Sequence, residues 1–268
     1  ILDARAVYHY DRCGVFWVEN MKRDVFLYPD KKELIIATAE KITACIGQNI
    51  QERGVCNIAL AGGSTPREVY RLLASEPYKN RVCWDNVSLF WGDERVVAPG
   101  DPESNYGMVK QAFLEHIDIP EKNVHRIRGE IGAVQAALEY ADLLRRHFKE
   151  DLPHFDFILI GVGDDGHTAS LFPGTDSIEE QHQLVEAVFV SKFDAWRVTL
   201  TLPVLNAAKE VMFLVSGNAK SEIVRRVMSI DTSTKELPVT LVNPKCGKVY
   251  WMLDSEAASL IGKGDEKI

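Results

Sequence analysis

Phe155-Asp156-Phe157-Ile158-Leu159-Ile160-Gly161-Val162-Gly163-Asp164-Asp165-Gly166-His167-Thr168-Ala169-Ser170-Leu171-Phe172-Pro173 is a strand that runs into a loop. The apolar run Phe155–Ile160 reads as a buried strand. Gly161, Gly163 and Gly166 then let the chain turn sharply, and Asp164, Asp165 and His167 are delivered at the strand's carboxyl end. In open parallel sheets that edge is where ligands sit. The stretch therefore predicts both the fold class and the place of the chemistry.

The flanking sequence repeats the pattern. Lys31–Arg53 carries Ile35, Ala39, Ile42, Ile46 and Ile50 as a helical stripe closed by Gly54. Cys56–Leu60 and Val87–Trp91 are short buried strands, the second ending in Gly92-Asp93-Glu94-Arg95. Ala133–Phe148 places Val134, Ala137, Leu138, Ala141, Leu144 and Phe148 on one helical face. Arg197–Leu202 alternates like a strand, Glu210–Val215 ends in another glycine turn, and Val249–Leu253 is expected to close the sheet. Alternating helices and strands imply an α/β fold with a parallel or mixed sheet covered on both faces.

No low-complexity linker or internal repeat divides the 268 residues. Pro99-Gly100-Asp101-Pro102 and Ser229–Glu236 are short surface loops. Residues 1–268 thus read as a single α/β domain, with 1–25 as an N-terminal extension of unassigned role. Its Tyr8, Tyr10, Phe16 and Trp17 suit packing across a sheet edge or against a partner. Asp3, Arg5 and Asp11 interrupt the start, which does not read as a signal peptide.

Hydrophobic residues make up 46% and charged residues 26%, the profile of a soluble globular protein. A formal charge of −8 argues against a nucleic-acid surface, which needs clustered cations. No stretch approaches the ~20 apolar residues of a membrane span. Cys13, Cys45, Cys56, Cys83 and Cys246 are odd in number, widely spaced and without a Cys-x-x-Cys. That usage favours a cytoplasmic protein and no zinc–cysteine site.

Ala61-Gly62-Gly63-Ser64-Thr65-Pro66-Arg67-Glu68 follows directly on the strand ending at Leu60. Thr65 suits an N-cap, Pro66 the first helical position, and Glu68 would complete a capping box. Gly62 and Gly63 let a ligand approach the backbone, where free amides and the helix dipole favour a phosphate. The alternative is a capped turn that binds nothing. Lys220, after Ser216-Gly217-Asn218, and Arg197 are cations placed to help, although either alone is ordinarily a solvated surface charge.

Gly161-x-Gly163-x-x-Gly166 matches the dinucleotide fingerprint in letters only. Asp164 and Asp165 would repel a pyrophosphate, and Pro173 stops the helix the motif should open. His167 is then the informative residue, because an imidazole can take a proton from water and return it near neutrality. Asp165 could orient it or hold it charged, and the bland alternative is a loop histidine bonded to a carbonyl. Arg95 is placed either to stabilise negative charge developing on a carbonyl oxygen or to form a rim ion pair. A metal among Asp93, Glu94, Asp164 and His167 has no ligand spacing to support it.

Taken together the segments resemble the 6-phosphogluconolactonase family. Ala61–Pro66, Trp91–Arg95, Ser104-Asn105-Tyr106-Gly107-Met108, Gly161–Pro173 and Ser216–Lys220 occur in that family's order, between about Tyr28 and Leu253. The resemblance implies a Rossmann-like, doubly wound, mostly parallel sheet, shared with glucosamine-6-phosphate deaminase and ribose-5-phosphate isomerase. It implies hydrolysis of 6-phospho-D-glucono-1,5-lactone in the oxidative pentose phosphate pathway, with no cofactor and no metal. His167 matches the water-activating base, with Asp165 beside it, and Arg95 the arginine at the reacting end. Gly62, Gly63, Ser64, Arg197 and Lys220 match the phosphate contacts. The implied partner is the phosphosugar lactone alone, with no nucleic acid or membrane, for a monomer or weak homo-oligomer.

Two other readings compete. Glucosamine-6-phosphate deaminases place Phe-Asn-Glu-Pro after the histidine, where this chain has Ser170-Leu171-Phe172-Pro173, and a tyrosine where Arg95 stands. A non-catalytic sugar-phosphate regulator would need a DNA-binding module, and no stretch reads as a helix-turn-helix.

Overall fold

The computed structural model describes residues 7–10, 16–20, 23–229 and 237–261. In chain order the elements are β1 (Val7–Tyr10), β2 (Phe16–Asn20), β3 (Arg23–Tyr28), α1 (Lys31–Arg53), β4 (Cys56–Leu60), α2 (Ser64–Leu73), β5 (Val87–Trp91) and β6 (Asp93–Arg95). Then come α3 (Asn105–Ala112), β7 (Val124–His125), α4 (Ala133–Phe148), β8 (Phe157–Ile160), β9 (Val185–Val190), β10 (Ala195–Leu200) and α5 (Leu202–Ala207). The last are β11 (Glu210–Val215), α6 (Ser221–Met228), α7 (Pro238–Leu241) and β12 (Lys248–Asp254).

Strands β3, β12, β11, β8, β4, β5 and β7 lie side by side in that order, all seven parallel. Every residue of β4 and β8 is buried, and their sequences are apolar apart from Asn57. That is what a strand covered on both faces requires. Helix α1 starts where Asp30 accepts the Glu33 amide at 2.9 Å. It stops at Gly54, whose φ of 78° lets its amide turn back to the Ile50 carbonyl at 2.8 Å.

Four sequence expectations need correction. Val249–Leu253 lies in β12, an interior strand between β3 and β11, and does not close the sheet. Beyond β3 the described parts of the N-terminal extension add β2 and β1, both paired antiparallel, so Phe16 and Trp17 lie on a strand paired on both sides and Tyr8 and Tyr10 on the edge strand; the segment extends the sheet rather than packing across its edge. Arg197–Leu202 is shifted: β10 spans Ala195–Leu200, and Leu202-Pro203 opens α5. Moreover β10 is not in the large sheet but at the centre of a second, antiparallel one, β6-β10-β9. Finally, Val134 and Leu138 are 63% and 57% exposed. The buried stripe of α4 is centred on Ala136, Ala137, Tyr140, Ala141 and Leu144, leaving those two on its flank. Asp3, Arg5, Asp11, Cys13 and residues 230–236 and 262–268 lie outside the described residues.

Because β4, β5, β8 and β11 run parallel, the loops after them all leave from one edge. The small sheet is tied to that edge by the Leu200 amide, which donates to the Gly92 carbonyl at 2.9 Å. Among the described residues no helix is long and apolar enough to cross a membrane.

Candidate active site

The loop after β8 is braced by its own backbone. The Gly163 amide donates to the His167 carbonyl at 2.8 Å and the Gly166 amide to the Gly163 carbonyl at 2.9 Å. A Cβ on Gly163 would fall 1.9 Å from His167 Nδ1, so only glycine leaves room for the ring. His167 Nδ1 lies 2.5 Å from Asp165 Oδ1, and the ring stacks on Phe172 with centroids 4.1 Å apart. Asp165 Oδ2 accepts from Lys192 Nζ at 2.8 Å. Burial pushes the Asp165 carboxyl up, but the bonds from Lys192 and His167 outweigh it and hold the group well below the usual carboxylate range. An ionised carboxylate only accepts, so the proton of the neutral ring sits on Nδ1 and the lone pair on Nε2.

At the β4 edge, Gly63 has a φ of 104° and α2 begins at Ser64. The expected capping box is absent. The helix starts early, so Thr65 and Pro66 fall inside its first turn, no side chain caps it, and Glu68 pairs with Lys31 instead. Pro66 is tolerated there because first-turn amides have no intrahelical partner. Gly62 packs against Asn105: a Cβ at that position would come within 1.8 Å of the Asn105 Oδ1.

Asn105 links this turn to the next loop, donating through Nδ2 to the Asp93 carbonyl at 3.0 Å. Asp93 Oδ2 accepts from Ser170 Oγ at 2.6 Å. Glu94 points the other way and is 2% exposed. It accepts from the Asn105 and Tyr106 amides at 2.8 Å each and from Ser104 Oγ at 3.1 Å, anchoring the start of α3. Burial pushes its carboxyl up, against the pull of those amides. Two separate sequence motifs thus clasp each other.

Arg95 donates to the Glu103 carbonyl and sits directly opposite Arg197 across the β6–β10 pair. Arg197 is therefore inside its strand rather than at the start. Burial, then the charge of Arg95, push its guanidinium down from the ordinary value. Two like charges in register are unfavourable until an anion joins them. After β11, Gly217 (φ 92°) turns the chain, and the buried Asp254 carboxylate fixes that turn through the Gly217 amide at 3.0 Å. Lys220 follows and pairs with Asp164.

These elements enclose a cavity of about 650 Å³. Gly62, Gly63, Ser64, Arg95, His167, Arg197 and Lys220 all line it, while Asp165 stands behind the imidazole. Sequence reasoning missed Asn105, Ser170, Phe172 and Phe193 as lining residues, and Lys192 as the partner of Asp165. The first three lie inside the motifs Ser104–Met108 and Gly161–Pro173, whereas Phe193 and Lys192 belong to no motif. The hypothetical metal set is dispersed, with Glu94 committed to α3 and Asp164 to Lys220. Among the described residues no group of three or more His, Cys, Asp or Glu side chains gathers to hold a metal ion.

Residues 29–251 match the model of glucosamine-6-phosphate isomerases/6-phosphogluconolactonase. The chain belongs to that family. The 6-phosphogluconolactonase of Nostoc sp. is 34% identical over 243 residues, covering 89% of this chain and 98% of the relative. The solved 6-phosphogluconolactonase from Trypanosoma cruzi superposes with a TM-score of 0.80 at 30% identity, covering 91% of this chain and 98% of the other. A monomeric glucosamine-6-phosphate deaminase superposes with a TM-score of 0.73 at 22% identity, over 88% of this chain and 99% of the other, and shares the fold. The doubly wound, mostly parallel sheet expected from the resemblance is thus the fold of the glucosamine-6-phosphate isomerase/6-phosphogluconolactonase family found here.

Proposed function

We propose that this chain hydrolyses 6-phospho-D-glucono-1,5-lactone to 6-phospho-D-gluconate, with His167 as the base that activates water. One observation carries the reading. An imidazole fixed by an ionised carboxylate shares a cavity with an uncapped, glycine-rich helix start and a lysine suited to a phosphate. The α2 amides at Gly63 and Ser64, with Lys220 released from Asp164 and with Arg197, grip the phosphate. That grip sets the distance from the lactone carbonyl to His167 and removes the entropic cost of finding it.

His167 Nε2 takes a proton from water as the water oxygen bonds to C1. The carbonyl π pair moves onto its oxygen, where Arg95 compensates the charge. When the tetrahedral adduct collapses, the bond from C1 to the ring oxygen breaks and Nε2–H protonates the departing oxygen. The product is an open-chain acid that loses its proton to solvent. Asp165 steadies the imidazolium throughout, and the scheme uses no cofactor.

The deaminase reading lacks its carboxylate after the histidine: Ser170 stands in that stretch and its hydroxyl is bonded to Asp93. The test is a coupled assay with freshly made lactone, scored as the rate above spontaneous opening, beside an ammonia assay on glucosamine 6-phosphate. Excess lactone opening without ammonia is expected. Ammonia release with no excess opening would overturn the assignment.

We also read the chain as one domain, supported by a main core cluster that includes Leu60, Ile160 and Val215 of the large sheet and Val185, Val198 and Leu200 of the small one. A cytoplasmic setting is supported by free thiols at Cys45, Cys56, Cys83 and Cys246. A monomer or weak homo-oligomer is the assembly we assign, to be read by sedimentation.

A further inference from the structure

Lys192 lies in the short turn Ser191–Phe193 between β9 and β10, a position without any sequence distinction. The structure brings that turn against the loop after β8. Lys192 Nζ is 2.8 Å from Asp165 Oδ2, while Asp165 Oδ1 is 2.5 Å from His167 Nδ1. The next residue, Phe193, sets its ring edge-on to Phe172 at 5.9 Å, and Phe172 stacks on the imidazole. One turn therefore supports both things that hold His167, the carboxylate and the aromatic face.

We propose that Lys192 is a positioning residue for His167, fixing Asp165 so that Oδ1 meets Nδ1 and Nε2 is left for the cavity. The inference rests on the lactonase reading above. A carboxylate turns easily about its last torsion, because that torsion is broad. With one oxygen on an ammonium, it can offer only the other to the ring. Other charged groups stand nearby: Asp164 on the same loop, Lys220 paired with it, and Asp93, Arg95, Glu103 and Arg197 lining the cavity. Asp164 is held by Lys220, so Lys192 is the cation that sets Asp165. The Lys192 side chain is 55% exposed, and ion pairs so exposed add little to folding. Its effect should therefore appear in turnover and not in stability.

The experiment compares Lys192→Met and Lys192→Arg in the full chain. In Lys192→Met we expect kcat to fall about tenfold, the lower range for loss of an orienting partner, with KM unchanged. The melting temperature should stay within ~2 °C, and Lys192→Arg should recover most of the rate. An independent readout is the ¹⁵N spectrum of the His167 ring, assigned with His167→Gln. It should show one tautomer, protonated at Nδ1, in the unmutated protein and a mixture in Lys192→Met. Because the spectrum needs no substrate, it decides the role of Lys192 even if the lactone assay were to fail. An unchanged kcat with an unchanged ring spectrum would overturn the proposal, as would a loss of rate that Lys192→Arg does not restore.

Discussion

His167 and the His125–His147 pair carry the same ring into opposite surroundings. His125, on β7, stacks on Phe90 at 4.6 Å, and His147, from α4, meets it at 4.9 Å, with Phe148 and Phe155 packed around the same phenyl ring. The polar contact of His147 is the amide of Asn57, 2.9 Å away. Burial pushes His125 down to about 4, with the charge of His147 adding to it, and burial lowers His147 as well. Those two rings are neutral packing material. His167 has an ionised carboxylate on one nitrogen and a cavity in front of it. Its partner, more than its burial, is what equips it for proton transfer.

The largest effect should come from His167→Ala, which is expected to lower turnover by roughly 10²–10⁴-fold, the range for a general acid–base. Circular dichroism and the melting temperature should stay unchanged, so a folded variant with near-normal hydrolysis would erase the distinction between the two environments. Gly163→Ala should follow, at about 10²-fold in kcat, since the added methyl displaces the ring by more than an ångström. Steady-state kinetics on fresh lactone would check both. Lys220→Ala should raise KM about tenfold while sparing kcat, because a phosphate contact made equally in ground and transition states is uniform binding.

The smallest effect belongs to His125→Phe, and it concerns stability alone. His125 is neutral in the fold and takes up its proton only near pH 4, whereas the unfolded chain binds it near 6.5. The unfolded state thus holds more protons between these values. The stabilisation is complete above pH 6.5 and is lost as the pH falls toward 4. His125→Phe should shrink the drop in melting temperature across that window by roughly 3 °C, with lactone turnover untouched. An unchanged pH slope would mean that the pair is not what makes the fold acid-sensitive.

Much of this contrast was readable in the letters. Gly161, Gly163 and Gly166 around two aspartates marked His167, and the strands ending at Leu60, Trp91, Ile160 and Val215 were visible as apolar runs. Their common edge follows from parallel pairing and brings Gly62, Gly63, Ser64, His167 and Lys220 to one cavity, with Asp165 behind the imidazole; Arg95 and Arg197 reach the same cavity from the small sheet. The small antiparallel sheet was not readable, because β6 is three residues long and its partner lies a hundred residues on. Its absence from the reading hid the Arg95–Arg197 pairing, and with it the turn that carries Lys192. The helix start at Ser64 was misplaced for another reason: Thr65, Pro66 and Glu68 fit a local capping rule, and Lys31 from α1 claims the glutamate. Nor could spacing show that Glu94 turns inward to hold α3.

The most direct test is a crystal structure with 6-phosphogluconate bound. The account predicts His167 Nε2 within hydrogen-bond reach of the product carboxylate, and the phosphate seated on the Gly63 and Ser64 amides with Lys220 drawn away from Asp164. A product whose phosphate lies elsewhere, or an imidazole rotated off the carboxylate, would contradict it.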